Sequence, residues 1–459
     1  MKTLDAANTV RLVNVIAVGL LACILYLIFK VNKYKTHHAL LLSILICTLP
    51  PFQYFVGVIC CGSFLYPVIF SSLASMVLFI TIFNENRKTT IKVIGVIVAI
   101  ILLIIALNTY QSTTMIYWSL ALVPLIIAKD EGFTKKMAIP YIIYFSTGFI
   151  SVFLYYIDVK IQLFLIDFTV NSIARRGPFI SINDVPHRII DFIKYPLYTA
   201  LNLWNAFPNK VIGIFVGIII LISILYGFGR TSLSTITGKN SKYLLYDSLC
   251  RYSLILFLIP LSFLPNIALK ESINFMIPKF RILLGIETTV VLLLYWGLLT
   301  NIPDFFRSLF NFSVNLYNKL ITSLLIILTI FATYYTHKNI TNFVKLHAGE
   351  LAYVKNAIQG YGIYRLSKDS KIYIIASDNK FIDYDSFFIS LASLWSGPGT
   401  EMLHLAMYEL GVNPDIPVIF HEDYDNLPED KNSLIIDMRN YQKKAYKELN
   451  IPLSVKPFF

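Results

Sequence analysis

The chain has 459 residues, of which 56% are hydrophobic and only 14% are charged. Soluble domains are about 25% charged, so this composition excludes an ordinary soluble protein and predicts a polytopic α-helical membrane protein. The formal net charge of +12 does not indicate binding to nucleic acid, because the Lys and Arg residues lie mainly in loops between apolar segments.

Apolar segments recur through the first 336 residues at lengths that suit membrane-spanning helices. Such a helix needs about 20 mostly apolar residues, and ten candidates occur in the sequence. The predicted spans are 12–30, 39–58, 64–84, 91–108, 113–128, 138–157, 209–229, 252–268, 282–301 and 319–336.

Basic residues follow alternate predicted spans. Lys33 follows the first span, Arg87 the third, Lys136 the fifth and Lys239 the seventh. This is the positive-inside pattern of a bacterial inner membrane protein, so these loops are predicted to face the cytoplasm. The segments predicted to lie on the periplasmic face are then the N-terminus, the turn at 108–113, the loops 158–208 and 269–281, and everything after residue 337.

Ten spans with a periplasmic C-terminus require a periplasmic N-terminus as well. The first eleven residues, MKTLDAANTVR, include Lys2 and Arg11 and carry no signal peptide. Two explanations stay open. The protein has its N-terminus outside, or a further helix and outer loop precede an internal methionine.

A run of uncharged polar residues, Asn108 to Thr114, interrupts the apolar sequence LNTYQSTTMIYWSL at 107–120. The predicted topology places this run on the outer face. One interpretation is a plain polar turn, because a short uncharged segment crosses the headgroup region at low cost.

The long outer loop at 158–208 combines an amphipathic helix with two arginines. Residues 187–207 have a broad apolar side, which is typical of a helix lying in the membrane interface. That helix is either a membrane anchor or a gate beside a groove for a lipid-linked substrate. Just upstream, Arg175 and Arg176 lie on the outer face against the positive-inside tendency, and paired guanidinium groups suit phosphate.

A second basic cluster, Lys279 and Arg281, directly precedes the ninth predicted span. These side chains either snorkel to the headgroups or, with the arginines of the long loop, bind an anionic ligand. Within that span, Glu287 lies about 9 Å from the outer end by helix rise. An ionisable group at such a depth is a functional candidate by default, although a neutral or paired carboxyl is the simpler alternative.

The sequence changes character after residue 337 and predicts a small α/β domain. Helical periodicity covers 341–359 and 400–411, and β-rich runs occur at 371–377, 418–422 and 433–439. The predicted organisation is therefore a transmembrane domain at 1–336, with the interfacial loop 158–208, and a soluble extracytoplasmic α/β domain at 337–459.

Metal and cofactor motifs are absent from the sequence. The five cysteines lie within or at the ends of predicted spans, and none shows zinc-site spacing. No HExxH, Walker, GxGxxG or GxSxG motif is present. The sequence therefore predicts no cofactor and does not indicate a divalent metal.

Three segments carry a resemblance to a known family: ALNTYQSTTMIYWSLALVPL at 106–125, PKFRILLGIETTVVLLLYWGLL at 278–299, and SLIIDMRNY at 433–441. Together they resemble the bacterial and phage O-antigen glucosyltransferases, the serotype-converting Gtr type II proteins, which have a GT-C-like plan. The resemblance implies glucose transfer from undecaprenyl-phosphate-glucose to lipid-linked O-antigen, at the periplasmic face and among membrane lipids. It also implies that Tyr110 and Gln111 line the sugar-lipid cleft, where a tyrosine ring and an amide suit a sugar.

The implied chemistry needs a carboxylate as general base on the acceptor hydroxyl. In the resembled enzymes this acid lies in the first outer loop, where this sequence offers only Asp5. Asp158 and Asp167 are the next candidates, each with a structural role as its alternative. A translocator of lipid-linked sugars, or a transferase using another polyprenyl-phosphate sugar such as mannose or arabinose, stays open as the alternative function.

Overall fold

The computed structural model describes residues 4–57, 59–128, 133–165, 181–205, 211–236, 241–267, 280–298, 314–367, 370–375, 398–413, 415–421 and 433–448. In chain order its helices are α1 (Leu4–Val31), α2 (Thr36–Cys47), α3 (Pro50–Gly57), α4 (Leu65–Thr81), α5 (Thr89–Thr109), α6 (Gln111–Thr114), α7 (Ile116–Leu120), α8 (Leu122–Ile127), α9 (Phe133–Leu165), α10 (Val185–Phe192), α11 (Tyr198–Leu201), α12 (Val211–Ile236), α13 (Ser241–Leu261), α14 (Leu264–Ile267), α15 (Phe280–Trp296), α16 (Val314–Tyr361), α17 (Pro398–Glu409) and α18 (Arg439–Glu448). The strands are β1 (Lys371–Ile375), β2 (Val418–His421) and β3 (Ser433–Asp437).

Among these residues, five helices are long and apolar enough to cross a membrane, or six if the bent pair α2 and α3 forms one span. The five lie in α1, α4, α5, α9 and α16, where the sequence predicts spans. This identifies a helical membrane protein.

The other predicted spans differ from single long helices. The predicted span 39–58 is bent by 56° between α2 and α3, because Pro50 and Pro51 begin a new helix and cannot continue the preceding one. The predicted spans 113–128, 209–229 and 282–301 coincide with shorter apolar helices, and 252–268 falls on α13 and α14. Ten spans therefore stay a prediction.

Contacts at one end of the bundle join the segments next to the basic loops. The Tyr34 hydroxyl donates to the Val123 carbonyl at 2.9 Å, and the backbone N–H of Thr134 donates to Asp247 at 2.9 Å. These residues adjoin the loops after the first, fifth and seventh predicted spans. The three loops therefore lie at the same end of the bundle, as expected if successive spans run in opposite directions. The compartment that this end faces stays a prediction.

The α4, α7 and α9 helices pack through a buried aromatic cluster. Tyr117 and Tyr144 stack with ring centroids 4.3 Å apart, and each hydroxyl donates to the other residue's carbonyl, at 2.7 and 2.6 Å. Gly148 leaves room for the Trp118 ring, because a Cβ at this position would lie 2.3 Å from it. These contacts fix α7 against α9.

The amphipathic segment predicted at 187–207 is helical from α10 through a π-helical turn, Ile193–Leu197, to α11. The side chains of Ile189, Ile190 and Ile193 are more than half exposed. Phe192 is buried and packs against Phe263, with the rings 5.9 Å apart. One apolar face is thus left uncovered while the other holds the segment to the bundle, as expected for a helix in the membrane interface.

The chain forms two compact units. One contains 16–52 and 63–336, and the other contains 1–15, 53–62 and 337–459. Residue 337 lies inside α16, a continuous helix of 48 residues. The sequence predicts a domain boundary there, and it does not predict that the helix runs through the boundary or that two earlier segments join the second unit.

The second unit contains a parallel sheet in the order β2-β1-β3. Ile372 of β1 pairs with Val418 of β2 and with Leu434 of β3. Residues of α16, α17 and the sheet share one buried core, which includes Val354, Ile372, Leu403 and Ile436. The strands begin at the predicted residues, and Gly411 follows α17 with φ +68°, a conformation that glycine adopts without strain.

Candidate functional site

The uncharged polar run at 108–114 is a one-residue break between two helices. Tyr110 is extended, with φ −163°, while α5 ends at Thr109 and α6 begins at Gln111. The hydroxyls of Thr113 and Thr114 donate to the Tyr110 carbonyl at 3.2 and 2.9 Å. The interpretation of 108–113 as a plain polar turn is therefore wrong in extent, because three of the seven residues of the polar run, Ser112 to Thr114, are buried in the bundle.

Tyr110 and Gln111 remain partly exposed at this break. The Tyr110 ring stacks on Phe64 with centroids 4.2 Å apart, and the Gln111 side-chain amide donates to the Tyr155 hydroxyl. The break thus joins the start of α4 to the C-terminal part of α9. It presents an aromatic face, against which a sugar ring can pack, and an amide, which can form hydrogen bonds with sugar hydroxyls.

The short helix α14 forms the next part of this end of the bundle. The Ser112 hydroxyl donates to the Asn266 side-chain oxygen at 3.4 Å, and Arg188 of α10 donates to the Ile267 carbonyl at 3.4 Å. The side-chain nitrogen of Asn266 is buried and has no hydrogen-bond partner among the described residues. A polar group in that position accommodates a further acceptor, such as water or a ligand oxygen.

Asp158 is the predicted carboxylate whose side chain the structure describes. It lies three residues after Tyr155 on α9, so both side chains project from the same face of the helix. Asp158 is partly exposed, and it accepts a hydrogen bond from Gln162 at 2.9 Å. Asp5 lies near the start of α1 with only its backbone described, and Asp167 lies outside the described residues.

The predicted cationic residues are mostly not described. Arg175, Arg176 and Lys279 lie outside the described residues, and Arg281 is the second residue of α15 with only its backbone described. The structure therefore neither brings them to the Tyr110 site nor separates them from it.

Glu287 lies inside the bundle and is 2% exposed. Its Oε2 atom and the hydroxyls of Thr288 and Thr289 are buried without a hydrogen-bond partner among the described residues. No described hydrogen bond joins Glu287 to Tyr110, Gln111 or Asp158. A charged carboxylate without a partner is costly at such a depth, so the position is either neutral or completed by a ligand.

The part of the chain that contains Tyr110, Gln111 and Asp158 matches a known protein family. A family model described as Glucosyl transferase GtrII matches residues 8–291, which is more than half of the chain. The chain belongs to the GtrII glucosyl transferase family. The resemblance noted in the sequence is thereby confirmed. No curated protein and no solved structure gives a significant match.

The GtrII match includes Arg188, a residue to which sequence reasoning gave no binding role. The pattern places it on the polar side of the interfacial helix, where a solvated cation is the ordinary expectation. In the structure, burial lowers the pKa of Arg188 and the nearby Asp191 raises it in part, yet a guanidinium stays protonated in proteins. Arg188 thus supplies a fixed positive charge at the site.

We expect the Gln111–Tyr155 hydrogen bond to couple α6 with α9 in this GtrII protein. In a double-mutant cycle of Gln111→Ala and Tyr155→Phe, the coupling free energy should be about 0.5–1.5 kcal/mol, the usual range for a neutral hydrogen bond. Thermal unfolding of the purified protein in detergent measures it. Tyr156→Phe is the control, because Tyr156 is 48% exposed and contacts Lys160. Additive effects of the two main substitutions would contradict the coupling.

Proposed function

We propose that this GtrII-family protein transfers glucose from undecaprenyl-phosphate-glucose to lipid-linked O-antigen at the periplasmic face of the bacterial inner membrane. The observation that carries the proposal is the hydrogen bond from Gln111 to Tyr155, which supports a common site for Tyr110, Gln111 and Asp158. All three lie within the residues that match the family. The donor, the acceptor and the membrane face are parts of the proposal.

The proposed binding roles follow from the exposed groups. The Tyr110 ring, supported from behind by Phe64, offers an apolar surface to the glucose ring. Gln111 is oriented by Tyr155 and has a side-chain oxygen that can accept from a sugar hydroxyl. The exposed apolar face of α10 holds this end at the membrane surface, where the polyprenyl chain of the donor lies.

The proposed reaction is a single displacement with inversion at the anomeric carbon. The acceptor hydroxyl oxygen bonds to this carbon while the bond from the carbon to the phosphate oxygen breaks. The Asp158 carboxylate takes the hydroxyl proton as general base, and the polyprenyl phosphate leaves with the bonding electron pair. Asp158 suits this role because it is partly exposed and held by Gln162 from its own helix.

The leaving phosphate needs positive charge beside it. Arg188 supplies a described cation at this end of the bundle. Arg175, Arg176, Lys279 and Arg281 remain proposed members of the same phosphate site, on the evidence of their sequence positions. Glu287 remains a proposed binding residue because its Oε2 atom lacks a partner among the described residues.

Surface polysaccharide from cells with and without the gene tests the proposal. We expect mass spectrometry to show one additional hexose per modified repeat in cells that express the protein, and sugar analysis to identify it as glucose. A different sugar would replace the proposed donor while retaining a transferase. Unchanged polysaccharide, with the full-length protein stably inserted, would exclude transfer to this acceptor and favour the translocator.

A further inference from the structure

Arg11, in the second unit of the chain, has a guanidinium nitrogen without a described hydrogen-bond partner. The side chain is partly buried, and its Nε atom is sealed from water without a hydrogen-bond partner among the described residues. None of the ion pairs found among those residues involves Arg11. A partly desolvated cation without a counter-charge is unfavourable, so this arrangement calls for an anion from outside the described residues.

The helix around Arg11 is closely packed on one side. Asn14, one turn further along α1, donates to the Phe55 carbonyl at 3.2 Å and is 4% exposed. Gly62 approaches so closely that a Cβ there would lie 2.3 Å from the Asn14 side chain. Arg11 shares this face of α1 because the two residues are three apart. Arg11 therefore lies at the edge of this packed face, where it is partly buried.

The surroundings of Arg11 indicate a lipid as the source of that anion. Arg11 lies three residues into a candidate membrane span that begins at Thr9. The adjacent Leu12 and Val13 are 60% and 45% exposed, and an apolar surface at this level faces acyl chains. Side chains on a helix lean toward its N-terminus, so the guanidinium lies toward the end of the span, where lipid phosphates are found.

We propose that Arg11 binds the phosphate group of a membrane lipid. The two terminal nitrogens of a guanidinium can donate parallel hydrogen bonds to phosphate oxygens, and the phosphate supplies the missing negative charge. The phosphate belongs either to a polyprenyl phosphate or to an anionic phospholipid such as phosphatidylglycerol. This binding does not require glycosyl transfer, so it can fail or hold independently of the proposed function.

The test uses the full-length protein purified in a maltoside detergent, which contains no phosphate. Increasing amounts of polyprenyl phosphate or phosphatidylglycerol are added before treatment with phenylglyoxal, which modifies arginine. We expect either lipid to protect Arg11 in the unaltered protein, as measured by peptide mass spectrometry. Protection at a lower concentration of polyprenyl phosphate assigns the site to the carrier, and equal protection assigns it to phospholipid headgroups.

Variants give a second readout by native mass spectrometry of bound lipid. Arg11→Gln should weaken lipid-phosphate binding about tenfold or more, and Arg11→Lys should weaken it less, because the charge remains while the forked geometry is lost. The control is Lys345→Gln, which removes an exposed cation from the same unit. Absence of protection by both lipids, or equal losses in Arg11→Gln and Lys345→Gln, would overturn the proposal.

Discussion

Replacing Asp158 by Asn is expected to lower the rate of glucose transfer by about a hundredfold or more while the protein stays folded. A positioned general base contributes about 10²–10⁴ to a rate, and an amide cannot take the acceptor proton. Folding should persist because Asp158 is partly exposed and its hydrogen bond with Gln162 stays within α9. Initial rates with radiolabelled lipid-linked glucose measure the effect, which should appear in kcat and not in KM.

Asp184→Asn is the matched control for this substitution. Asp184 is an exposed carboxylate that precedes α10, and its side chain makes no capping hydrogen bond. It should leave the rate within about twofold, since surface substitutions of this kind have small effects. If Asp158→Asn retained normal kcat, Asp158 would not be the base, and Asp5 and Asp167 would be the next residues to change.

Replacing Gly285 by Ala is expected to cost about 3 kcal/mol or more of folding free energy. A Cβ at this position would lie 2.4 Å from the Ser262 backbone oxygen and 3.2 Å from the Cβ of Met115. Overpacking costs about 1–3 kcal/mol where side chains can move aside, and here a backbone atom blocks the methyl group. The shift would also strain the 2.6 Å hydrogen bond from the Ser119 hydroxyl to the Gly285 carbonyl.

Gly229→Ala is the control, because no atom lies within 4 Å of a Cβ at that position of α12. Alanine favours a helix over glycine by about 1 kcal/mol, so this variant should be as stable as the parent or more so. Thermal unfolding and size-exclusion chromatography in detergent measure both. Equal stability of Gly285→Ala and Gly229→Ala would show that α15 does not pack against α7 and α13 as described.

The long apolar helices could be predicted from the sequence, and the breaks between helices could not be placed. Hydropathy over about 20 residues is enough to locate α1, α5 and α9, because lipid requires an unbroken apolar helix. The bend at Pro50 was not predicted, because a proline can also begin a helix within one span. The sequence allows a plain polar turn at 108–113 as one interpretation, and it does not reveal the contact of Ser112 with Asn266, which is distant in sequence.

The residues of the candidate site could likewise be predicted only in part from the sequence. Tyr110 and Gln111 came from a family resemblance, which the match over residues 8–291 supports. From the sequence alone, Asp158 cannot be preferred over Asp5 or Asp167. The structure favours Asp158 because it lies three residues after Tyr155 on α9, and Tyr155 contacts Gln111. The sequence does not predict a binding role for Arg188. An arginine on the polar side of an amphipathic helix is expected to face solvent, and its contact with the Ile267 carbonyl is visible only in the structure.

The single extended residue between α5 and α6 fixes the length of that connection. A residue added or removed there would shift α6 relative to α5 and move the buried Ser112 hydroxyl away from its partner Asn266. Epitope tags and protease sites for mapping membrane orientation should therefore be inserted elsewhere, for example at the exposed Asn86. Length variation among natural relatives should likewise be tolerated near Asn86 and excluded at Tyr110.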